Sequence, residues 1–169
     1  MSRTVIINGT NHEASRINAV ERYIEQKLSG VSVIDVYKLP AQALLTADFT
    51  NHEVNAANVK VAEADNVVVL TPVYKAAYTG ILKTYLDLIP QKGLQGKTVL
   101  PIAVGGSPNH LLMIDYALKP VLAALGATNI LQGVYIVDQA IERTDEGFII
   151  RDDVRARLDE QLKALPVHV

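Results

Sequence analysis

Asn66-Val67-Val68-Val69-Leu70 runs straight into Thr71-Pro72-Val73-Tyr74-Lys75-Ala76-Ala77-Tyr78-Thr79-Gly80, and this junction decides the fold. The first five residues are apolar on both faces of an extended chain. That is the pattern of a central parallel strand, covered above and below, and not of a strand with one wet face. Thr71-Pro72 then holds the backbone extended before a turn. A helical pattern follows from about Thr79 to Ile89, and Pro90 ends it.

The same alternation repeats in both directions from this point. Thr4–Ile7 is a first strand. A stretch from about Arg16 to Leu28 places Ile17, Val20, Ile24 and Leu28 on one helical face. Gly30 stops that helix and Val31–Tyr37 is a second strand. Residues 40–52 hold Leu44, Leu45 and Phe49 without a clear period and read as a loop with a helical turn; Glu53–Glu63 is polar and weakly helical. Downstream come a fourth strand at Thr98–Val104, a helix from Ser107 to Leu125 with Gly126 beyond it, and a fifth strand at Val134–Val137. Phe148–Ile150 reads as a short edge strand and Asp152–Leu165 as a closing helix.

Strands that alternate with helices mean an α/β domain with a mostly parallel sheet. Right-handed crossovers place helices on both of its faces. Ligands of such sheets sit outside the carboxyl ends of the strands, where strand order reverses. Three segments therefore matter most: Asn8–Asn18, Thr71–Gly80 and Val104–His110.

Composition narrows the function classes. The 169 residues are expected to form one domain over 1–169. Sixteen Lys and Arg against eighteen Asp and Glu leave a formal charge of −2, without the basic footprint of a nucleic-acid binder. There is no cysteine, so thiol redox chemistry and Cys-ligated metals are excluded and any redox function needs a borrowed cofactor. No apolar run approaches the roughly 18 residues of a membrane span. Met1-Ser2-Arg3-Thr4 leads directly into the first strand, too short for a secretory signal. A cytoplasmic protein that contacts neither nucleic acid nor membrane is expected.

In the first loop, Asn8-Gly9-Thr10-Asn11-His12-Glu13-Ala14-Ser15-Arg16-Ile17-Asn18, Ser15 is a good N-cap. The free N–H groups of residues 15–18 can receive an anion and Arg16 can add a charge-assisted bond. The loop fits a phosphate cradle; it fits equally an ordinary capped helix with a solvated arginine. It is neither of the common glycine-rich nucleotide motifs. In the second loop Tyr74 offers an aromatic face and Ala76-Ala77 leave the backbone accessible, which suits a flat heterocycle, or a proline-containing connection with Tyr74 packed beneath it. In the third, Val104-Gly105-Gly106-Ser107-Pro108-Asn109-His110, Ser107 is the N-cap and Pro108 the first helical residue. Gly105-Gly106 let a ring approach the backbone. His110 is a candidate proton donor or an exposed first-turn side chain.

The helix after the third loop carries Pro120 inside the apolar pattern Leu111, Ile114, Leu118, Val121, Leu122, Leu125. Proline cannot donate to the carbonyl of Tyr116 and its ring crowds that carbonyl. A kink or π-bulge around Tyr116 is expected, with or without functional meaning. Asp115 and Lys119 form an i,i+4 pair, and Glu142, Asp152 and Asp153 read as solvated charges. His12, His52, His110 and His168 are isolated, so no metal site is expected.

Thr71-Pro-Val-Tyr-Lys-Ala-Ala-Tyr-Thr-Gly-Ile-Leu-Lys-Thr-Tyr-Leu-Asp-Leu-Ile-Pro90, together with Leu100-Pro-Ile-Ala-Val-Gly-Gly-Ser107 and Asp115-Tyr-Ala-Leu-Lys-Pro-Val-Leu122, resembles the NAD(P)H-dependent FMN reductase family. Within it, the resemblance is closest to the reductase components of two-component alkanesulfonate monooxygenase systems. It implies a flavodoxin-like three-layer sandwich with a five-stranded parallel sheet of order 2-1-3-4-5. It further implies FMN, as substrate or loosely bound, with NADPH or NADH as reductant and a flavin-dependent monooxygenase as partner. By the same resemblance Thr10, Ser15, Arg16 and Asn18 hold the FMN phosphate. Pro72, Val73, Tyr74 and Lys75 line the isoalloxazine and ribityl chain, and Gly105, Gly106 and Ser107 contact the far side of the ring. A π-helix in these reductases goes with flavin used as a substrate and with a tetramer interface, which implies a homo-oligomer, dimer or tetramer, and a role for Tyr116.

The chain departs from the family pattern in its first loop. Thr10, Asn11 and Ile17 stand where Ser, Pro and Ser are common, and Glu13 adds a negative charge. Val104 replaces a small polar residue, and Val169 ends the chain short of the tail some relatives carry. Fewer hydroxyls imply modest flavin affinity, as a shuttle of reduced flavin requires. The reaction is hydride transfer, in which the cofactor supplies the chemistry and the protein the positioning, so no side-chain general base is expected. The alternatives are a quinone or azo-dye reductase with prosthetic FMN, a flavodoxin-type carrier, for which the chain lacks acidity, and a response-regulator-like switch, for which the strand ends Asn8, Thr71 and Val104 lack the acidic cluster.

Overall fold

A computed structural model describes residues 2–166; Met1 and His168 of the sequence reading lie outside the described residues. Strands β1 (Thr4–Asn8), β2 (Val31–Asp35), β3 (Asn66–Pro72) and β4 (Thr98–Gly105) are parallel and lie in the order β2-β1-β3-β4. Residues Thr4, Asn66 and Thr98 share one level of the sheet, so the carboxyl ends Asn8, Leu70 and Ile102 also fall side by side. The far edge is completed on β4 by two short pieces, β5 (Asn129–Ile130) and β6 (Val134–Val137).

That split corrects the single fifth strand read from the sequence. β5 pairs with Thr98 and Val99, and β6 with Ile102 through Gly105. The break lies opposite Leu100 and Pro101, and proline brings no N–H to a ladder. The edge strand expected at Phe148–Ile150 is also corrected. It belongs to β8 (Gly147–Ile150), which pairs antiparallel with β7 (Ile141–Thr144) as a separate hairpin.

Alternate residues of the strands feed two cores. Val5, Ile7, Val67 and Val69 face one side, and Ile6, Val68, Leu70, Leu100 and Ile102 the other. Helix α1 (Ile17–Lys27) covers the second core with Ile17, Val20 and Ile24, and α6 (Asp152–Lys163) with Val154, Leu158 and Leu162. Helices α2 (Ala41–Leu45), α3 (His52–Glu63), α4 (Gly80–Leu86) and α5 (Lys119–Ala124) lie on the first. Each large apolar side chain so buried stabilises the fold by about 1.5–3 kcal/mol. The flavodoxin-like three-layer order is the one the resemblance implies.

Helix boundaries moved where the sequence had little period. Asn51 starts α3 by accepting the N–H groups of Glu53 and Val54 on its side-chain oxygen. In α2, Leu44 is buried while Leu45 and, beyond it, Phe49 face solvent, which is why no period was visible there. Helix α4 ends at Leu86 and loosens into turns before Pro90. The single helix expected from Ser107 to Leu125 is three pieces: a 3-10 turn at Pro108–His110, a π-helix at Ile114–Leu118, and α5. The N–H of Lys119 reaches back five residues to the carbonyl of Ile114. The wide turn thus sits where Pro120 denies Tyr116 a donor. Leu111, Leu112 and Tyr116 are turned to solvent by it, Tyr116 to 79%. Asp115 and Lys119 pair at 2.7 Å as expected.

One buried hydroxyl ties the strand ends together. Thr79, fully buried, donates from Oγ1 to the carbonyl of Gly9 at 2.6 Å and accepts the N–H of Leu82 as N-cap of α4. Its own N–H donates to Thr71 Oγ1 at 3.1 Å. Thr79→Val keeps the shape but removes a cap worth about 1 kcal/mol and strands a buried carbonyl at roughly 1–3 kcal/mol. The variant should lose about 2–3 kcal/mol in urea denaturation, with Thr79→Ser close to wild type; equal losses in both would place the effect in packing.

Candidate functional site

The three loops at the carboxyl ends of β1, β3 and β4 meet around one cleft of about 290 Å³. Ala14, Ser15 and Arg16 form one wall, Pro72, Val73 and Tyr74 another, and Val104, Gly105 and Gly106 the floor. A wider second chamber of about 580 Å³ is lined by Val73, Lys75, Ala76, Gly106, Ser107 and His110. Val73 and Gly106 border both spaces, so the chambers adjoin. Of the residues singled out in the sequence, Ser15, Arg16, Pro72, Val73, Tyr74, Gly105 and Gly106 therefore line the first space, and Lys75 and Ser107 the second.

Thr10 and Asn18 do not line the cleft. Thr10 is fully buried, and its N–H donates to Asn8 Oδ1 at 3.0 Å. Asn18 is held on both sides: Nδ2 donates to the carbonyl of Glu13 at 2.6 Å, and Oδ1 accepts Asn8 Nδ2 at 2.8 Å. Both residues brace the first loop from beneath. Ser15 is also not the N-cap. The cap position falls on Arg16, which makes no side-chain cap bond, and Ser15 Oγ accepts the N–H of Ile17 at a long 3.4 Å. The N–H of Asn18 bonds the carbonyl of Ser15. Those two N–H groups therefore already have partners within the loop.

The second loop folds back on itself. Tyr74 and Ala77 exchange main-chain hydrogen bonds at 2.9 and 3.2 Å around Lys75 and Ala76, which have φ of 50° and 64°. Two successive left-handed residues are the pattern of a tight primed turn, normally made by Asn or Gly. Lys and Ala there cost about 1 kcal/mol or more each. The strain holds Tyr74 and Lys75 at the mouth of the cleft. The N–H of Val73 donates to the carbonyl of Val104 at 2.9 Å and clamps this loop to the third.

The two glycines of the third loop have different reasons. A Cβ on Gly105 would stand 2.1 Å from the Tyr135 hydroxyl, so Gly105 makes room for the protein's own side chain. Tyr135 uses that space to donate to the carbonyl of Ser107 at 2.6 Å. Its phenol is pushed up by burial and then by Asp138. A Cβ on Gly106 would meet only Asp138 Oδ2, at 3.9 Å, so the open side of Gly106 is free for a ligand. His110 is exposed at the second chamber, and Ser107 Oγ accepts the N–H of Asn109 as the expected cap.

Three polar residues line the cleft that the sequence reading left unused: His12, Asp138 and Arg143. Asp138 follows β6, so the rule that pointed to the ends of strands one, three and four would have found it at the end of strand five. Arg143 comes from the β7–β8 hairpin, which Asp145-Glu146-Gly147 between two short runs could have signalled. Arg3, far from the cleft, pairs with Glu63 at 3.1 Å. Among the described residues no cluster of three or more His, Asp and Glu side chains could hold a metal, and no helix is long and apolar enough to cross a membrane.

The family described as NADPH-dependent FMN reductase matches residues 2–142. Over 166 residues the chain is 40% identical to FMN reductase (NADPH) of Escherichia coli (strain K12), covering 95% of this chain and 86% of the relative. It is 31% identical over 149 residues to NADH-dependent FMN reductase SfnF of Pseudomonas putida, covering 83% and 80%. A solved structure of an NADH:FMN oxidoreductase (EMOB) in its apo form matches with a TM-score of 0.81 at 32% identity, over 99% of this chain and 92% of that one.

Beneath the first loop, Asn8 Nδ2 also donates to Glu21 Oε2 at 2.6 Å. Burial pushes the Glu21 carboxyl up, against the Asn8 bond, and Asp35 and Glu25 add like charge while Lys38 opposes them. A carboxyl raised by folding weakens the fold above its folded-state value, and the penalty vanishes below its unfolded value. Glu21→Gln, which keeps the acceptor for Asn8, should therefore raise the urea midpoint at neutral pH. The gap from wild type should close as pH falls below the ordinary 4.5 of the group; a gap independent of pH would assign the effect to shape.

Proposed function

From the premise that the chain belongs to the NADPH-dependent FMN reductase family, we propose that it uses NAD(P)H to reduce FMN in this cleft and releases reduced FMN to a flavin-dependent monooxygenase, of the alkanesulfonate type. The chain is an FMN-reducing oxidoreductase that takes FMN together with NADPH or NADH. The observation that supports the cleft as the flavin site is what its lining brings together. Arg16 and Arg143 offer cations that can neutralise a phosphate dianion. Pro72, Val73 and the open side of Gly106 offer backbone and apolar surface to a planar heterocycle. The residues present thus fit FMN.

FMN bound here would supply N5 as the acceptor for the hydride of nicotinamide C4. The chain's own contribution is orientation. Tyr74 and the strained Lys75-Ala76 turn define the mouth, and Val73 separates the two chambers. In this reading the second chamber receives the nucleotide, with Lys75 and His110 on its wall. No side chain is required to move a proton at the reacting atoms. The exposed Tyr116 of the π-helix, with Leu111 and Leu112 in the turn before it, supplies an apolar surface for a homo-oligomer.

Asp138 supports release rather than retention. Its Oδ2 lies 3.8 Å from Arg16 Nη1 and faces the same cleft, so it competes with an incoming anion for that cation. Both groups are over a third exposed, which keeps the competition worth only about 1 kcal/mol or less. Asp138→Asn should therefore tighten FMN by roughly two- to fivefold and leave riboflavin, which has no phosphate, unchanged. The proposal itself is tested by NAD(P)H oxidation in dialysed protein with and without added FMN. Turnover that requires and saturates with FMN supports it. Quinone reduction by yellow protein without added FMN would make the flavin prosthetic, and no oxidation of either nucleotide would overturn the reaction.

A further inference from the structure

The β7–β8 hairpin and the first loop hold each other by a reciprocal pair of arginines. Arg16, from the loop, donates through Nε to the carbonyl of Ile141 at 3.1 Å. Arg143, from the hairpin, donates through Nη2 to the carbonyl of Ala14 at 3.2 Å. The Arg143 guanidinium also lies over the Phe148 ring, 5.4 Å from its centroid, a stacking that fixes its plane. The hairpin is anchored beneath by Ile141 and Ile150, both in the core with α1. Each arginine spends part of its fork on a carbonyl of the other segment and has further N–H donors left, since a guanidinium carries five. Both line the same cleft, with Ser15 between their segments.

We infer that Arg143 is a second phosphate-binding residue of the flavin site, which it reaches from the hairpin and shares with Arg16. The inference rests on the reading of this cleft as the FMN site. It goes beyond the family match, which ends at residue 142. Its physical ground is charge. Arg16 is partly answered by Asp138 at 3.8 Å. Among the described residues Arg143 has no carboxylate partner within ion-pair distance, so its charge is available to an anion. A phosphate dianion between two forks gains charge-assisted bonds that neither arginine offers alone. The thinned hydroxyl set of the first loop, with Thr10 buried and Asn18 engaged, is then compensated by a cation from another part of the chain.

The test compares FMN with riboflavin by quenching of flavin fluorescence in wild-type protein, Arg143→Gln and Arg143→Lys. Gln keeps an N–H donor for Ala14 without charge, and Lys keeps charge without the fork. The preference of wild type for FMN over riboflavin should fall roughly tenfold in Arg143→Gln, with riboflavin affinity unchanged, and Arg143→Lys should restore most of it. The wild-type preference should also shrink as salt is raised. Equal loss of both flavins in Arg143→Gln would make Arg143 a brace for the loop and overturn the inference. So would an unchanged preference in a wild type that binds FMN well. Wild type that binds neither flavin would instead overturn the reading of the cleft, and the inference with it.

Discussion

Everything at the ligand end of the sheet depends on the Thr79 hydroxyl. A parallel sheet delivers its strand ends to one edge, but it does not say how the loops beyond that edge lie against each other. Thr79 says so for two of the three. Its oxygen accepts from the first turn of α4 while its proton goes to Gly9 in the first loop, and its N–H goes to Thr71 at the end of β3. Because these groups are buried, water cannot substitute for any of them, and each bond has only one geometry available. The third loop is joined by the main-chain bond from Val73 to Val104. A cleft made of loops is thereby given the rigidity of the strands beneath it, which is the condition for a site that works by positioning.

The cleft that results is mixed in character. Two arginines line it, and the loop that carries Arg16 is braced by the Asn8, Asn18 and Glu21 side chains. Gly105, Gly106 and the faces of Pro72 and Val73 line it as well. His12 and Asp138 line the cleft, but the proposed reaction asks no side chain for a proton, since its reactive atoms belong to the flavin and the nicotinamide. Local strain in the cleft wall is concentrated in the left-handed pair Lys75 and Ala76. That pair lines the second chamber, while Tyr74 before it lines the first.

The strands, the helices on both faces and the three loops were legible in the sequence, because apolar runs and periods carry that information directly, whereas the strand order came from the family resemblance. Pro120 made the wide helical turn legible as well, since a missing N–H has only a few structural outcomes. Roles within the first loop were less so. Thr10, Asn18 and Ser15 are polar residues of the kind that bind phosphate, and the same donors and acceptors serve equally to brace a loop; only the partners tell the two apart. Gly105 shows the same ambiguity, since it lines the cleft and also makes room for Tyr135. Pairing was the least legible. The break at Pro101 depends on which segments meet across the chain, and the β7–β8 hairpin was marked only by Asp145-Glu146-Gly147 between two short runs.

The hairpin's independence has an evolutionary consequence. It hangs in the connection between β6 and α6 and shares no ladder with the main sheet. Residues can be gained, lost or exchanged at its tip without moving the register of any strand that carries the core. Yet its side chains reach the cleft. Under the proposed role of Arg143, a lineage can revise which anions the cleft favours by editing the exposed residues 142–146, while Ile141, Phe148 and Ile150 keep the graft seated on the core. The tip is free to vary where the strands of the main sheet are not.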